Sequence, residues 1–254
     1  HEESLFGVFP FEIWTLETSE PEIERVVRKL GELNALRTEL IEGQKWGLTS
    51  VGHTPIFGSR LGRGEELPAM LSAYYSTFNQ EGGPLPNGFS LFEGVKDPSI
   101  EPLGCISMTL NEALVQSVSD RPGQPEVIRV FPVWPVKWNA AFRLLVRGGF
   151  LISASMQAGR VEFVEIESRM DEPCRIRNPW GISCQVQQVD GAPLHLSDDI
   201  LHFETKPGGR YLVLPEEESI PSPRRITADP ATGPISYQFT FPNRATAGGT
   251  LGRP

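Results

Sequence analysis

The sequence predicts an α+β chain whose helical first half gives way to an antiparallel β-sandwich. Three observations carry that expectation. Apolar residues recur at helical spacing up to about residue 118, the period changes to short branched and aromatic runs after Arg121-Pro122-Gly123, and Pro or Gly turns separate those runs. The expected boundaries are 1–122 for the helical part, 123–215 for the sandwich and 216–254 for a loosely structured tail rich in Glu, Ser, Pro and Arg. The 254 residues are 39% hydrophobic and 22% charged and include 14 Phe, 5 Trp and 4 Tyr, so the chain packs a core instead of staying disordered.

The first helix is expected over roughly 20 to 40. Ser19-Glu20-Pro21-Glu22 supplies an N-cap serine, a proline in the first turn and a capping-box glutamate, and Ile23, Val26, Val27, Leu30 and Leu33 follow at helical spacing. A second helix reads from Thr54 to Leu61 and a third from Glu65 to Phe78. Glu81-Gly82-Gly83-Pro84-Leu85-Pro86-Asn87-Gly88 is too dense in breakers for regular structure and is long enough to be a functional loop. A fourth helix is predicted from Gly104 to Val118, on the stripe Ile106, Leu110, Ala113, Leu114 and Ser117.

Strands are predicted at Val127–Phe131, Phe142–Val146, Phe150–Met156, Val161–Glu167, Arg175–Ile176, Cys184–Val189, Ile200–Glu204 and Tyr211–Leu214, with one more at Ile235–Phe241 in the tail. The clearest hairpin turns at Gln157-Ala158-Gly159-Arg160. Beyond it Val161, Phe163 and, after a slip, Ile166 are expected on the buried face, opposite Glu162, Glu165 and Glu167.

The formal charge of -9 argues against nucleic acid or an anionic membrane surface as partner, since both repel an acidic chain. No apolar run reaches the roughly 20 residues that span a bilayer. The start, His-Glu-Glu-Ser, is neither a signal peptide nor an initiator methionine, so a cut N-terminus is expected. Cys105, Cys174 and Cys184 are too few for a disulfide framework. Cys174 and Cys184 can face each other across Asn178-Pro179-Trp180-Gly181, or remain two buried free thiols. No C-x-x-C or H-E-x-x-H is present, and His1, His53, His195 and His202 are dispersed, so neither a metal site nor a cofactor is expected.

Among residues that can carry chemistry, Glu101 stands between the Gly/Pro loop and the fourth helix, with Glu112 and Gln116 farther along. A carboxylate at such a junction can sit at a cavity rim and act on a water, or serve as a surface glutamate complementing the helix dipole. Trp46 and His53 lie in Gln44-Lys45-Trp46-Gly47-Leu48-Thr49-Ser50-Val51-Gly52-His53. On the residues alone, Trp46 reads as a helix-packing residue. Trp134, Trp138 and Trp180 read as core or interdomain packing, and Glu216-Glu217-Glu218 as a solvated charge run.

Several segments resemble glycoside hydrolase family 95, the α-L-fucosidase-type enzymes built on an (α/α)6 toroid. Leu5-Phe6-Gly7-Val8-Phe9-Pro10 after His1 is similar to H-x-S-H-L-Y-G-L-Y-P. Ile100-Glu101-Pro102-Leu103-Gly104 with Asn111-Glu112-Ala113-Leu114-Val115-Gln116-Ser117 looks like I-D-x-N-F-G…A-E-M-L-L-Q-S. Ile128-Arg129-Val130-Phe131-Pro132-Val133-Trp134-Pro135, then Trp138 and Arg147-Gly148-Gly149-Phe150, resemble the passage of those enzymes from toroid to C-terminal β-domain. The family's aspartate falls on Glu101, its Asn-Phe on Leu103-Gly104, and the second His of the first motif on Ser4.

The resemblance covers residues 1 to 215 and implies the last helices of an (α/α)6 toroid followed by a C-terminal sandwich. It further implies part of an inverting glycoside hydrolase that removes a terminal, α-L-fucosyl-like sugar from an oligosaccharide or polysaccharide. Glu101 would be the catalytic carboxylate acting on water, and His1, Trp46 and His53 would face the sugar. The partner in folding would be the missing N-terminal part of the same polypeptide, which would hold the general acid, so the fragment alone is expected to be inactive and to expose apolar stripes. The resemblance also implies an extracellular or periplasmic location. The alternative is a non-catalytic glycan-binding or structural module that has lost its active site.

Overall fold

The computed structural model describes residues 5–42, 53–71, 100–188 and 191–219, and leaves the side chains of Glu20, Thr54, Glu101, Pro102 and residues 33–42 undescribed. The predicted Gly/Pro loop at 81–88 and the tail strand at Ile235–Phe241 lie outside the described residues. Those that are described form a mixed structure of helices and two sheets, in which strands predominate.

Helix α1 (Glu20–Glu42) starts where its capping sequence predicts. The Ser19 carbonyl accepts from the Glu22 and Ile23 amides, and Val26 and Leu30 are buried one turn apart. These two pack with Leu5 and Val8 of the N-terminal segment and with Phe57 and Leu61 of the second helical region. Helix α2 (Thr54–Arg60) ends because Gly62 adopts φ +79°, which lets the Arg63 amide reach back to the Gly58 carbonyl at 2.9 Å. A 3-10 turn (Gly64–Glu66) then opens a helical stretch at 67–71, and the rest of the predicted third helix lies outside the described residues. Gly64 is needed for close approach, since a Cβ there would lie 2.5 Å from the Val133 carbonyl oxygen.

Helix α3 (Glu101–Leu114) corrects one expectation: it stops four residues before the predicted end, and residues 115–118 form strand β1 (Val115–Val118). The cause is competition for backbone partners. The Leu114 carbonyl accepts from the Phe131 amide, and Val115 to Val118 pair antiparallel with β2 (Val127–Val130). Val115 and Val118 fit that half-buried pleat better than a helix interior. The inward side of α3 uses Ile106, Leu110 and Ala113 against Leu67, Leu71 and Val133, while Ile100, Leu103 and Met108 are exposed on its outer side.

The other strands are β3 (Ala140–Val146), β4 (Phe150–Gln157), β5 (Arg160–Ser168), β6 (Cys174–Arg177), β7 (Cys184–Gln188), β8 (Leu194–Leu196), β9 (Ile200–Phe203) and β10 (Arg210–Pro215). They complete a four-stranded sheet, β1-β2-β6-β9, and a six-stranded sheet, β3-β4-β5-β10-β7-β8. Pairing is antiparallel except between β2 and β6. The sheets share one core, with Ile128, Ile176 and Leu201 from the smaller meeting Ile152, Val164, Ile166, Val186 and Val213 from the larger. Strand β8 has no counterpart in the sequence expectation. Its short Leu-His-Leu run is largely exposed and carries no alternation to read.

The predicted hairpin turns through Ala158 and Gly159, both at positive φ as a two-residue hairpin loop requires. The slip falls earlier than expected, between Ser155 and Met156 on one strand and opposite Glu162 on the other. Val161, Val164 and Ile166 therefore face the core, and Phe163 moves to the outer face. All three cysteines are buried and none forms a disulfide; Cys174 and Cys184 begin strands in different sheets. Of the predicted packing tryptophans, Trp134 touches both the sandwich core and the Leu67–Ala113–Val133 cluster beneath the helices. Trp138 packs edge-to-face on it, and Trp180 donates to the Val161 carbonyl.

Candidate functional site at the helix–sandwich seam

The N-terminal segment, residues 5–19, runs from the helices across to the smaller sheet and sets up the polar seam between them. Its Leu5 and Val8 are buried with α1 and α2. Farther along, Thr15 Oγ1 donates to the Ser119 carbonyl at 2.6 Å. Glu17 then accepts from Arg129 Nε of β2 and Arg177 Nη2 of β6, both at 2.5 Å, which clamps the parallel strand pair.

Between those anchors lies a second ion lattice. Arg60, the last residue of α2, donates from Nη1 to Glu12 at 2.7 Å and from Nη2 to Glu112 of α3 at 2.8 Å, with its guanidinium 5.3 Å from the Phe9 ring centroid. Arg147 binds Glu12 through Nη2 at 2.6 Å and Glu126 through Nη1 at 3.1 Å. Arg147 opens the tight β3–β4 turn, in which Gly148 and Gly149 adopt φ +78° and +75°; a Cβ on Gly148 would meet the Phe150 ring at 2.9 Å. A buried arginine needs carboxylates around it, because an uncompensated buried charge is strongly unfavourable.

The two glutamates on Arg60 are driven in opposite directions. Burial raises the Glu112 carboxyl above the usual glutamate range, and the charge and hydrogen bond of Arg60 only partly offset it. Burial also acts on Glu12, but hydrogen bonds from Arg147 and Arg60, reinforced by their charges, outweigh it and hold that carboxyl low. Such divergence is what separates an acid from a base in many active sites. Here both carboxylates are engaged by arginines, which gives the pair a structural use as well.

Gln116, one turn after Glu112, fastens the arrangement. Its Nε2 donates to the Ser59 carbonyl at 2.9 Å and to the Glu112 carbonyl at 3.0 Å, and Ser59 Oγ donates to the Thr109 carbonyl. Two recesses flank the lattice and share Ser117 and Arg147. One, of about 640 Å³, is lined by Phe11, Glu12, Glu126, Phe150, Met170 and Arg175 among others. The other, of about 190 Å³, lies between Arg60, Asn111, Glu112, Gln116 and the end of β3.

The sequence-derived candidates are only partly placed. Glu101 is the first residue of α3, and its side chain lies outside the described residues, as do His1 and Trp46 altogether. His53 precedes α2, with its ring among Phe6, Phe9 and Phe57 at centroid distances of 6.1, 5.7 and 5.9 Å. Sequence reasoning named Glu112 and Gln116 but missed Glu12, Arg60 and Arg147. For Glu12 the readable signal was a lone charge between apolar residues, Phe11-Glu12-Ile13; Arg60, in Gly58-Ser59-Arg60-Leu61-Gly62-Arg63, carries no such signal. Among the described residues, no group of three or more His, Cys, Asp or Glu is placed to hold a metal ion.

No family model matches the chain, and no curated protein matches it. Among solved structures, the chain is similar to a GH127 β-L-arabinofuranosidase from Geobacillus stearothermophilus T6, at 12% identity and a TM-score of 0.26 over 70% of this chain. The match spans 32% of that enzyme's length, and at this TM-score it establishes neither a shared fold nor a shared activity.

Proposed function

We propose that the chain is part of a glycoside hydrolase that removes a terminal sugar of the α-L-fucosyl kind from an oligosaccharide or polysaccharide, with inversion at the anomeric carbon. In this reading Glu101 acts on the attacking water, directly or through a neighbouring amide, and His1, Trp46 and His53 face the sugar. The supporting observation is the passage from α3 to β1. Helix α3 opens at Glu101 and runs at Leu114 straight into the sandwich, the order that the family resemblance implies for a toroid leading into its β-domain. The exposed Ile100, Leu103 and Met108 on α3 are consistent with a helix that has a further neighbour in a longer polypeptide. An enzyme of this kind would meet its polymer outside the cytoplasm.

The test is an assay of the full-length protein on a panel of aryl α- and β-glycosides, with the first-formed anomer read by proton NMR. The expected result is turnover of an α-L-fucoside or a close analogue with inversion. No turnover on any member, or retention, overturns the proposal. A second reading, a glycan-binding or structural module without catalysis, is favoured by one observation: the described carboxylates at the seam, Glu12 and Glu112, are both engaged by arginines.

A further inference from the structure

The loop from β2 to β3, Phe131-Pro132-Val133-Trp134-Pro135-Val136-Lys137-Trp138-Asn139, presents a tryptophan to solvent and fixes it there. Val136 is 52% exposed and Trp138 37%, and Lys137 and Asn139 are exposed beside them. The backbone around them is held from both sides. The Trp138 amide donates to the Pro135 carbonyl at 2.9 Å, and Trp134 Nε1 donates to the Trp138 carbonyl at 3.0 Å. The Trp134 ring backs the Trp138 ring edge-to-face at 5.6 Å and is itself packed on the sandwich core and the Leu67–Ala113–Val133 cluster. From the β4–β5 hairpin, the Ala158 amide donates to Asn139 Oδ1 at 2.9 Å, and Gly159 sits so close that a Cβ on it would lie 3.3 Å from the Val136 carbonyl oxygen. An indole gains more from burial than most side chains, so one braced in an exposed position is a preorganised contact surface.

We propose that this loop is a glycan-binding platform, on which a pyranose ring of a polysaccharide lies against Trp138 and its hydroxyls are taken by Asn139 Nδ2 and Lys137 Nζ. A pyranose has an apolar C–H face for the indole and hydroxyls around its edge, so it is suited to an aromatic plane with donors alongside. The Ala158 amide fixes the Asn139 carboxamide with its oxygen inward, which leaves Nδ2 as the uncommitted end. Neither Asn139 Nδ2 nor Lys137 Nζ has a partner among the described residues, and residues 131–140 contain no Asp or Glu to compete for them. A protein partner is the weaker fit, because Trp138 and Val136 supply far less apolar surface than the roughly 800 Å² per side of a stable interface. The platform also stands apart from the seam: the seven residues of β3 separate Trp138 from Arg147, a span of about 23 Å.

The test reads binding, not turnover, and does not depend on Glu101. Affinity electrophoresis runs the full-length protein through native gels containing xyloglucan, galactomannan, arabinoxylan or polygalacturonate, with a polysaccharide-free gel as reference. At least one polysaccharide is expected to retard the parent. Trp138→Ala is expected to weaken that retardation about tenfold, and Trp138→Phe, which keeps an aromatic plane, to restore most of it. Lys137→Ala is expected to weaken it as well, and it carries the test if Trp138→Ala loses its fold, since the Lys137 side chain is exposed and supports no contact. The proposal is overturned if no polysaccharide retards the parent, which would leave the ring to a protein neighbour, or if retardation is undiminished in a folded Trp138→Ala or in Lys137→Ala. Failure of the hydrolase reading shows as absent turnover with retardation unchanged, and failure of this one as absent retardation with turnover unchanged.

Discussion

The Arg60 guanidinium and the Glu112 carboxylate lie 2.8 Å apart across α2 and α3, with only 8% and 13% of their side chains exposed. Arg60 also holds Glu12 of the N-terminal segment, and Glu12 in turn holds Arg147 of the sandwich. Four parts of the chain that are distant in sequence are therefore tied by one ion lattice, buried at Arg60 and Glu112 and half exposed at Arg147, and its charges make the seam sensitive to pH.

The two glutamates should respond to pH with opposite sign. Glu112, raised by burial, contributes stability that is complete below the unfolded glutamate range, about pH 4, and is lost as pH climbs through its folded value. Burial raises Glu12 too, but the Arg147 and Arg60 hydrogen bonds prevail and lower it, so its contribution is present above that range and is lost as pH falls. Relative to the parent, over about pH 2 to 8, Glu112→Gln should gain stability as pH rises above about 4, whereas Glu12→Gln should lose it as pH rises from about 2 to 5 and then stay level. Urea unfolding midpoints across that range check the prediction, and movement in the same direction for both variants contradicts it.

Removing Glu17 should release the N-terminal segment from the smaller sheet. Its side chain is 8% exposed and pairs with both Arg129 and Arg177. Glu17→Ala should cost about 3 kcal/mol in urea unfolding, as expected when a buried ion pair loses one partner. A loss below about 1 kcal/mol would class the contact with ordinary surface pairs.

Cys174 and Cys184 should resist alkylation in the native protein. Burial pushes the Cys174 thiol up to about 12. Burial likewise dominates at Cys184, pushing it up to about 11 against the lowering effect of its contact with Asn178. Iodoacetamide at pH 8 followed by peptide mass spectrometry should find neither labelled until the protein is unfolded. Rapid native labelling of either would contradict their burial.

Helices and strands with a strong period were legible in the sequence, and junctions were not. α1 could be read because its cap and its apolar spacing agree. β1 was mistaken for the end of α3 because Leu114 and Ser117 extend the helical stripe; only the distant Phe131 amide and the Val127–Val130 strand decide otherwise. Phe163 was misplaced because a one-residue bulge at Glu162 reverses every face beyond it. Glu112 and Gln116 could be singled out because both follow Glu101 along the predicted fourth helix, although Gln116 belongs to β1. Their partner Arg60 could not, since 52 residues separate it from Glu112 and nothing local encodes the meeting.

The hydrolase reading depends most on the acid that opens α3, and Glu101→Gln in the full-length protein tests it most directly. The substitution keeps size and shape and removes the charge that would act on water in that reading. With initial rates measured on whichever aryl glycoside the parent hydrolyses, the expected result is a fall in kcat of about 100-fold or more with a small change in KM. A variant that turns over at the parental rate would contradict the assignment of Glu101 to the reaction.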